Sequence, residues 1–254
     1  MWNRPFAAHL LQRITSFRWV DARTAVIIAL LFLGSNVLVE SASKVTIDLY
    51  SGHVASCIWD CGWYDSILTK GYLLDPIPHP GGSYAANWAF FPAFPLVAGG
   101  VKFLLHVSSR DALVITSKTF LLLSLFAFIR LVEQEVRPNS GLLAGSVLAF
   151  NPYIIYARVG YTEPMYFFLC TMAFSALNRR AWLTSGSFGG ILSATRFVGI
   201  GFALSYLIAF PQTLLKQDQS RPRYLLGLLI CPLGLAVFTT YLYYLGRVDG
   251  FSQV

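Results

Sequence analysis

The chain has 254 residues, of which 56% are hydrophobic and 12% charged, and its mean hydropathy is +0.58. Soluble domains carry about 25% charged residues, so this composition cannot cover a water-facing surface, and a water-soluble globular fold is excluded. The net charge of +7 is scattered between apolar runs and forms no basic patch. That is the pattern of membrane-protein loops, not of a nucleic-acid surface, and no nucleic-acid partner is expected.

Residues 1–24 form a basic leader, with Arg4, Arg13, Arg18 and Arg23 ahead of a first apolar run at 25–39. That run has no small-residue cleavage site and further runs follow, so it reads as an anchored helix with a cytoplasmic N-terminus. Residues 40–88 form the longest non-apolar stretch, expected to be an external loop. Inside it the segment DPIPHPGGS, 75–83, ends regular structure. Residues 58–71 have helical spacing, with Trp59, Trp63 and Ile67 on one face, which predicts a surface helix with its aromatic side toward the membrane.

Six more apolar runs follow at 89–107, 112–132, 142–156, 164–177, 182–210 and 224–245. A lipid-embedded backbone must satisfy its own hydrogen bonds, so these are expected as helices; the ten-residue alternation of a β-barrel is absent. The expected fold is all-α: a polytopic membrane helical bundle of about seven hydrophobic segments. It is a single integral membrane domain over 1–254, with 89–246 carrying the segments beyond the external loop. Strict alternation puts Arg179 and Arg180 outside and Glu163 inside, against the positive-inside tendency. Reading 89–107, broken by Pro92, Pro95, Gly99 and Gly100, as a re-entrant or surface segment repairs both. It then leaves Lys216, Arg221 and Arg223 outside, so the parity stays open.

The four cysteines, Cys57, Cys61, Cys170 and Cys231, have no zinc spacing. Cys57 and Cys61 pair if they face an oxidising compartment; if their segment is helical, the spacing favours two free thiols. His9, His53, His79 and His106 are isolated, and no metal site is expected. Among the acids, Asp60 in the run Trp59–Tyr64 stands near the membrane interface with an aromatic surround. Partial desolvation there raises a carboxyl pKa and suits a general base, while a helix N-cap or a first-turn acid favoured by the dipole is the plainer role. Glu163 lies in a short connector before Pro164, either as a functional acid, as an exposed loop acid or paired with Arg158. Arg196 lies within an apolar run, where a guanidinium needs an anion or snorkels to the interface. Lys118, near the start of a run, reads as a snorkelling lysine. The aromatic and proline-rich run 87–95 reads either as an interfacial belt or as a rigid groove for an isoprenoid tail.

Taken in order, Trp59-Asp60, Gly71-Tyr72, the run from Asn87 through Phe91 to Pro95, Asn151-Pro152, Gly160-Tyr161-Thr162-Glu163 and Thr195-Arg196 with Gly199 resemble the PIG-V family. These motifs span residues 59–199. The family comprises the second mannosyltransferase of glycosylphosphatidylinositol-anchor assembly and its bacterial relatives. The resemblance implies a GT-C-like glycosyltransferase that uses a polyprenyl-phosphate sugar, typically mannose, and no separate cofactor. It implies Asp60 as the catalytic carboxylate of the first external loop, with Glu163, the second catalytic candidate, and Arg196 lining the site. Trp59, Arg158, Tyr161, Asn87, Phe91 and Tyr72 complete the expected site. The expected partners are membrane lipids, the polyprenyl-phosphate sugar donor, a lipid or glycan acceptor, and a membrane protein subunit. The expected location is a bacterial cytoplasmic membrane, or the endoplasmic reticulum membrane in a eukaryotic cell. The family's enzymes have more membrane passes than this sequence holds, which leaves a shortened copy, a fragment or a minimal relative as readings. A non-catalytic membrane subunit and a lipid or sugar transporter are the rival classes.

Overall fold

The computed structural model describes residues 22–48, 57, 59–78, 84–214 and 221–245. The leader arginines Arg4, Arg13 and Arg18, the histidines His9, His53 and His79, the turn 79–83 and Lys216 lie outside them.

Helix α1, Ala22–Asp48, runs past the expected end of the first apolar run. The sequence holds no Gly or Pro between Gly34 and Gly52, so the end of the apolar residues does not end the helix. Helix α2, Cys61–Lys70, is shorter than the expected 58–71 and stops at Gly71, whose φ is +77°. Of the face expected toward the membrane, Trp59 is exposed, while Trp63 and Ile67 are half-buried against protein. Trp63 stacks on Phe90, and buried Tyr64 meets Phe90 and Phe94 edge-on. Aromatic partners supplied by residues 90–94 offer these rings a closer packing than the lipid surface. A two-residue antiparallel ribbon, β1 Ile77–Pro78 with β2 Tyr84–Ala85, pairs Ile77 with Ala85.

Helix α3 spans Ala93–Leu105, 13 residues, about 20 Å at 1.5 Å per residue and too short to cross a core about 30 Å thick. Helix α4 spans Ser109–Leu131 and widens into a π turn at Val132–Val136. It starts where Ser108 Oγ accepts from the Asp111 N–H at 3.1 Å, an N-cap. Then come α5 Gly141–Phe150, a 3₁₀ segment at Pro152–Ala157, α6 Glu163–Asn178 and α7 Trp182–Ser193. A second 3₁₀ segment at Phe197–Phe202 leads to α8 Ala203–Leu214, α9 Arg221–Ile230 and α10 Leu233–Tyr244.

Among the described residues three helical stretches are long and apolar enough to cross a membrane, Arg23–Ala42, Ser109–Val136 and Arg221–Tyr244. The protein is an integral membrane protein, but its apolar runs are not seven equal spans. The run 182–210 is two antiparallel limbs. Gly199 packs on the backbone of Leu192 and Ser193, Phe202 packs beside Gly189, and Tyr206 donates to the Trp182 carbonyl at 2.6 Å. The chain therefore turns at 194–202 and comes back along α7. Helix α9 then starts beside the same Trp182, through Tyr224, and α10 brings Phe238 to Phe91.

The molecule consequently has two distinct ends. At one end stand Asp60, the segment 158–163 and the turn 194–202. At the other, Arg179 pairs with Glu135 at 3.3 Å and donates to Gln134 at 2.7 Å, near the 178–182 turn. Helix α3 stays at the first end: the Ala93 N–H donates to the Ala194 carbonyl, and Lys102 donates to Ser109 Oγ at 2.9 Å.

Candidate functional site

Two breaks in the helical bundle build the site. The first lies between the 3₁₀ segment 152–157 and α6. Gly160 has φ +79°, and a Cβ there would strike Cys61 Sγ, so both the backbone angle and the space call for glycine. Serine hydroxyls of α4 hold the irregular chain: Ser117 donates to the Tyr161 carbonyl at 2.5 Å and Ser124 to the Pro164 carbonyl at 3.0 Å. Such partners are what a non-helical backbone inside a bilayer protein requires. Pro164 at the helix start fixes the entry of α6 and leaves Glu163 on its first turn, where the helix dipole favours a negative charge.

The second break is the turn after α7. Arg196 is extended, with φ −153° and ψ 149°, and swings its guanidinium to Glu163. Arg196 Nη1 donates to Glu163 Oε1 at 2.5 Å, with both side chains about two-fifths exposed. Glu163 Oε2 is buried and has no hydrogen-bond partner among the described residues.

Asp60 comes from a third place, the turn before α2. Its N–H donates to the Tyr161 hydroxyl at 3.1 Å. Although it occupies the N-cap position at the start of α2, its carboxylate makes no cap hydrogen bond. Lost hydration raises the Asp60 pKa above the usual carboxylate value, the negative charge of Glu163 raises it further, and Arg196 partly offsets both. Burial likewise pushes the Tyr64 phenol up.

Asp60, Tyr64, Phe90, Phe91, Tyr161, Thr162, Glu163, Thr195 and Arg196 line one cavity of about 320 Å³. A second cavity of about 500 Å³ adjoins it, walled by Leu121, Leu148, Ile154, Ala157, Pro164 and Phe167. Its walls are almost wholly apolar. Glu163, Arg196 and Val198 line both cavities, so the ion pair stands where they meet. Among the described residues no cluster of three or more His, Cys, Asp or Glu could hold a metal ion.

Of the expected site residues, Asp60, Glu163, Arg196, Tyr161 and Phe91 share the smaller cavity. The other four lie elsewhere. Asn87 is fully buried and clamps a loop, donating to the Gly71 carbonyl at 3.1 Å and accepting from the Leu73 N–H at 3.0 Å. Tyr72 donates to the Phe90 carbonyl at 2.7 Å and packs on Phe238 and Tyr241. Trp59 is exposed and rests against Tyr156. Arg158 is buried but points to α1, donating to Ser35 Oγ at 2.8 Å; the partner of Glu163 is Arg196, not Arg158. Lys118 is also paired, to Glu40 at 2.8 Å. Sequence reasoning passed over Tyr64 as a site residue, though its place one helical turn after Asp60 would have shown it.

Cys57 and Cys61 form a disulfide. The expectation of two free thiols assumed one helix through both, but α2 begins only at Cys61. Cys170 and Cys231 are free.

No protein-family model matches the chain. It is similar to the GPI alpha-1,6-mannosyltransferase 2 of Mus musculus, 28% identical over 159 residues, and to that of Rattus norvegicus, 27% identical over 161 residues. The match covers 58% of this chain and 30% of each relative. The chain thus spans about a third of the length of the curated relatives it matches. Both relatives are PIG-V proteins, and the resemblance read from the motifs holds.

Proposed function

We propose that this protein is a GT-C-type membrane glycosyltransferase that moves mannose, with inversion, from a polyprenyl-phosphate carrier to a hydroxyl of a lipid or glycan acceptor. One observation carries the reading: Asp60, Glu163 and Arg196 converge on one cavity, more polar than its neighbour, that meets a larger apolar cavity at the Glu163–Arg196 ion pair. The donor has the same order of parts, a hydrocarbon tail, an anion and a sugar. The tail suits the apolar cavity between α4, α5 and α6. The phosphate then reaches Arg196, and the sugar reaches Asp60. The run 87–95, read either as an interfacial belt or as a tail groove, packs Trp88 and Phe91 in a cluster with Phe238 and Leu242 of α10, and its Phe90 and Phe91 also line the smaller cavity.

In the transfer, the acceptor oxygen bonds to the anomeric carbon while the bond from that carbon to the phosphate oxygen breaks. The bonding pair leaves with the phosphate monoester, and the hydroxyl proton passes to Asp60. A carboxyl pKa raised toward neutrality suits that base. The Arg196 guanidinium stabilises the charge that develops on the leaving phosphate. Glu163 holds Arg196 in place, and its charge helps set the basicity of Asp60.

Charge distribution supports a site on the non-cytoplasmic face. Arg179 and Arg180, and with them Arg221 and Arg223 at the start of α9, lie at the end away from the site, as positive-inside orientation requires. Because 182–210 doubles back and α3 stays at the site end, these arginines no longer conflict with Glu163. In a bacterium this face is the outer surface of the cytoplasmic membrane, and in a eukaryotic cell it is the lumenal side of the endoplasmic reticulum.

The test is transfer by the purified protein in vesicles, with radiolabelled polyprenyl-phosphate mannose as donor and membrane lipids and glycans as acceptors. Wild type labels an acceptor, and Asp60→Asn falls by roughly 10²–10⁴-fold. Transfer by Asp60→Asn within a few-fold of wild type defeats the base assignment. Donor binding with no turnover favours the non-catalytic subunit instead.

A further inference from the structure

The start of α2 presents a puzzle of hydrogen bonding. Asp is among the preferred N-cap residues, and an aspartate at a helix start ordinarily turns its carboxylate onto the N–H groups that follow. Here those groups are already satisfied by backbone. The Gly62 N–H bonds the Trp59 carbonyl at 3.0 Å, and the Trp63 and Tyr64 N–H groups bond the Asp60 carbonyl at 3.1 and 3.3 Å. The chain achieves this by winding one further turn ahead of the helix, which forces Trp59 into the left-handed region at φ +47°. For a non-glycine residue that conformation costs of order 1–3 kcal/mol and persists only where its surroundings hold it.

What holds it is visible on both sides of Asp60. The Cys57–Cys61 disulfide closes the loop. Cys61 itself is fully buried, lying against Gly160 in the same core as Leu113, and the Asp60 N–H is tied to the Tyr161 hydroxyl. We propose that the Cys57–Cys61 disulfide is a positioning device for Asp60: it winds the turn that relieves the carboxylate of helix capping and leaves it facing the cavity. The inference rests on the reading of Asp60 as the base. It goes further in assigning Cys57 and Cys61, through Asp60, to the transfer step, and it requires an oxidising compartment on the site face.

Without the bridge, the turn relaxes and the carboxylate rotates onto its own helix N-terminus, out of line with the acceptor. Asp60 faces Glu163 and Arg196 as its charged neighbours, with Tyr64 and Tyr161 beside them. A relaxed Asp60 moves away from Glu163 and back into water, so its titration moves down toward the ordinary carboxylate value.

The experiment uses Cys57→Ser, which opens the bridge and leaves Cys61 in the core. Expected are a kcat lower by roughly 10- to 100-fold, a donor KM within about twofold, and an acid limb of the rate profile shifted to lower pH. Dithiothreitol, delivering two electrons and two protons to the S–S bond and leaving as its cyclic disulfide, lowers wild-type kcat equally and does not affect Cys57→Ser. Alkylation of the unfolded, unreduced wild type modifies two cysteines, and four after reduction. Four without reduction, or a Cys57→Ser enzyme with wild-type kcat and acid limb per folded molecule, overturns the proposal; so does a loss confined to the yield of folded protein. Asp60→Asn is assayed in parallel. If it transfers normally the base assignment itself falls, which is a different failure from an intact base that ignores its bridge.

Discussion

Asp60 titrates above an ordinary carboxylate because the cavity removes water from it and Glu163 repels its charge. Two outcomes follow at the scale of this residue. The transfer rate falls as pH drops through that raised pKa, and in Glu163→Gln the acid limb moves to lower pH, because the repelling charge is gone and Arg196 remains; a pH–rate series on both proteins checks it. A raised folded-state pKa also means that ionised Asp60 detracts from stability, the more so as pH rises through it. Asp60→Asn is therefore expected to melt at or above the wild-type Tm at pH 7, so its lost activity is not lost folding. Arg196→Met removes one charge-assisted hydrogen bond, about 1.5–3 kcal/mol, and should raise the donor KM by roughly 10- to 100-fold, measured by initial rates against donor concentration. These three charges were legible in the sequence because charge is scarce in so apolar a chain. The destination of Arg158 was not, since a buried guanidinium reads the same whether its partner is a carboxylate or the Ser35 hydroxyl.

At the scale of elements, the site depends on two interruptions that hydropathy does not register. The turn 194–202 is itself apolar, with Phe197, Val198, Ile200 and Phe202 in it, so the sequence reads on as one run. Its signal is steric. Gly199 lies on the backbone of Leu192 and Ser193, where a methyl group would displace the segment that carries Arg196. Gly199→Ala is expected to cost about 1–3 kcal/mol, as overpacked cores do, and to lower Tm by several degrees in a thermal melt. The first interruption was easier to see, since Asn151-Pro152 and Glu163-Pro164 punctuate it. Its tether was harder to see, because a serine in an apolar helix does not announce which carbonyl it serves. Ser117→Ala should remove about 1 kcal/mol and loosen Tyr161, and with it the N–H contact to Asp60.

The whole molecule resolves an arithmetic that sequence left open. Counting apolar runs assumes each run crosses once, yet α3 does not leave the site end and 182–210 goes and returns. The two departures cancel the conflict among Glu163, Arg179-Arg180 and Arg221-Arg223. Cysteine labelling in intact cells is the check: a thiol in place of Asp75, in the site-side loop, reacts with an impermeant reagent at once, while one in place of Arg180 reacts only after permeabilisation. The opposite pattern would invert the molecule. The largely helical architecture and the chemistry-bearing motifs were readable from composition and spacing; which ends meet was not, because that is fixed by packing partners far apart in the chain.

An arginine whose counter-ion is built in need not be solvated between turnovers. In the proposed transfer the donor phosphodiester meets an Arg196 that Glu163 already holds and partly neutralises, not a bare cation. The spent carrier is a monoester and more strongly anionic, so it would linger. The Glu163 charge beside Arg196 repels it, and a chain with Glu163→Gln should show deeper product inhibition by free polyprenyl phosphate than the wild type.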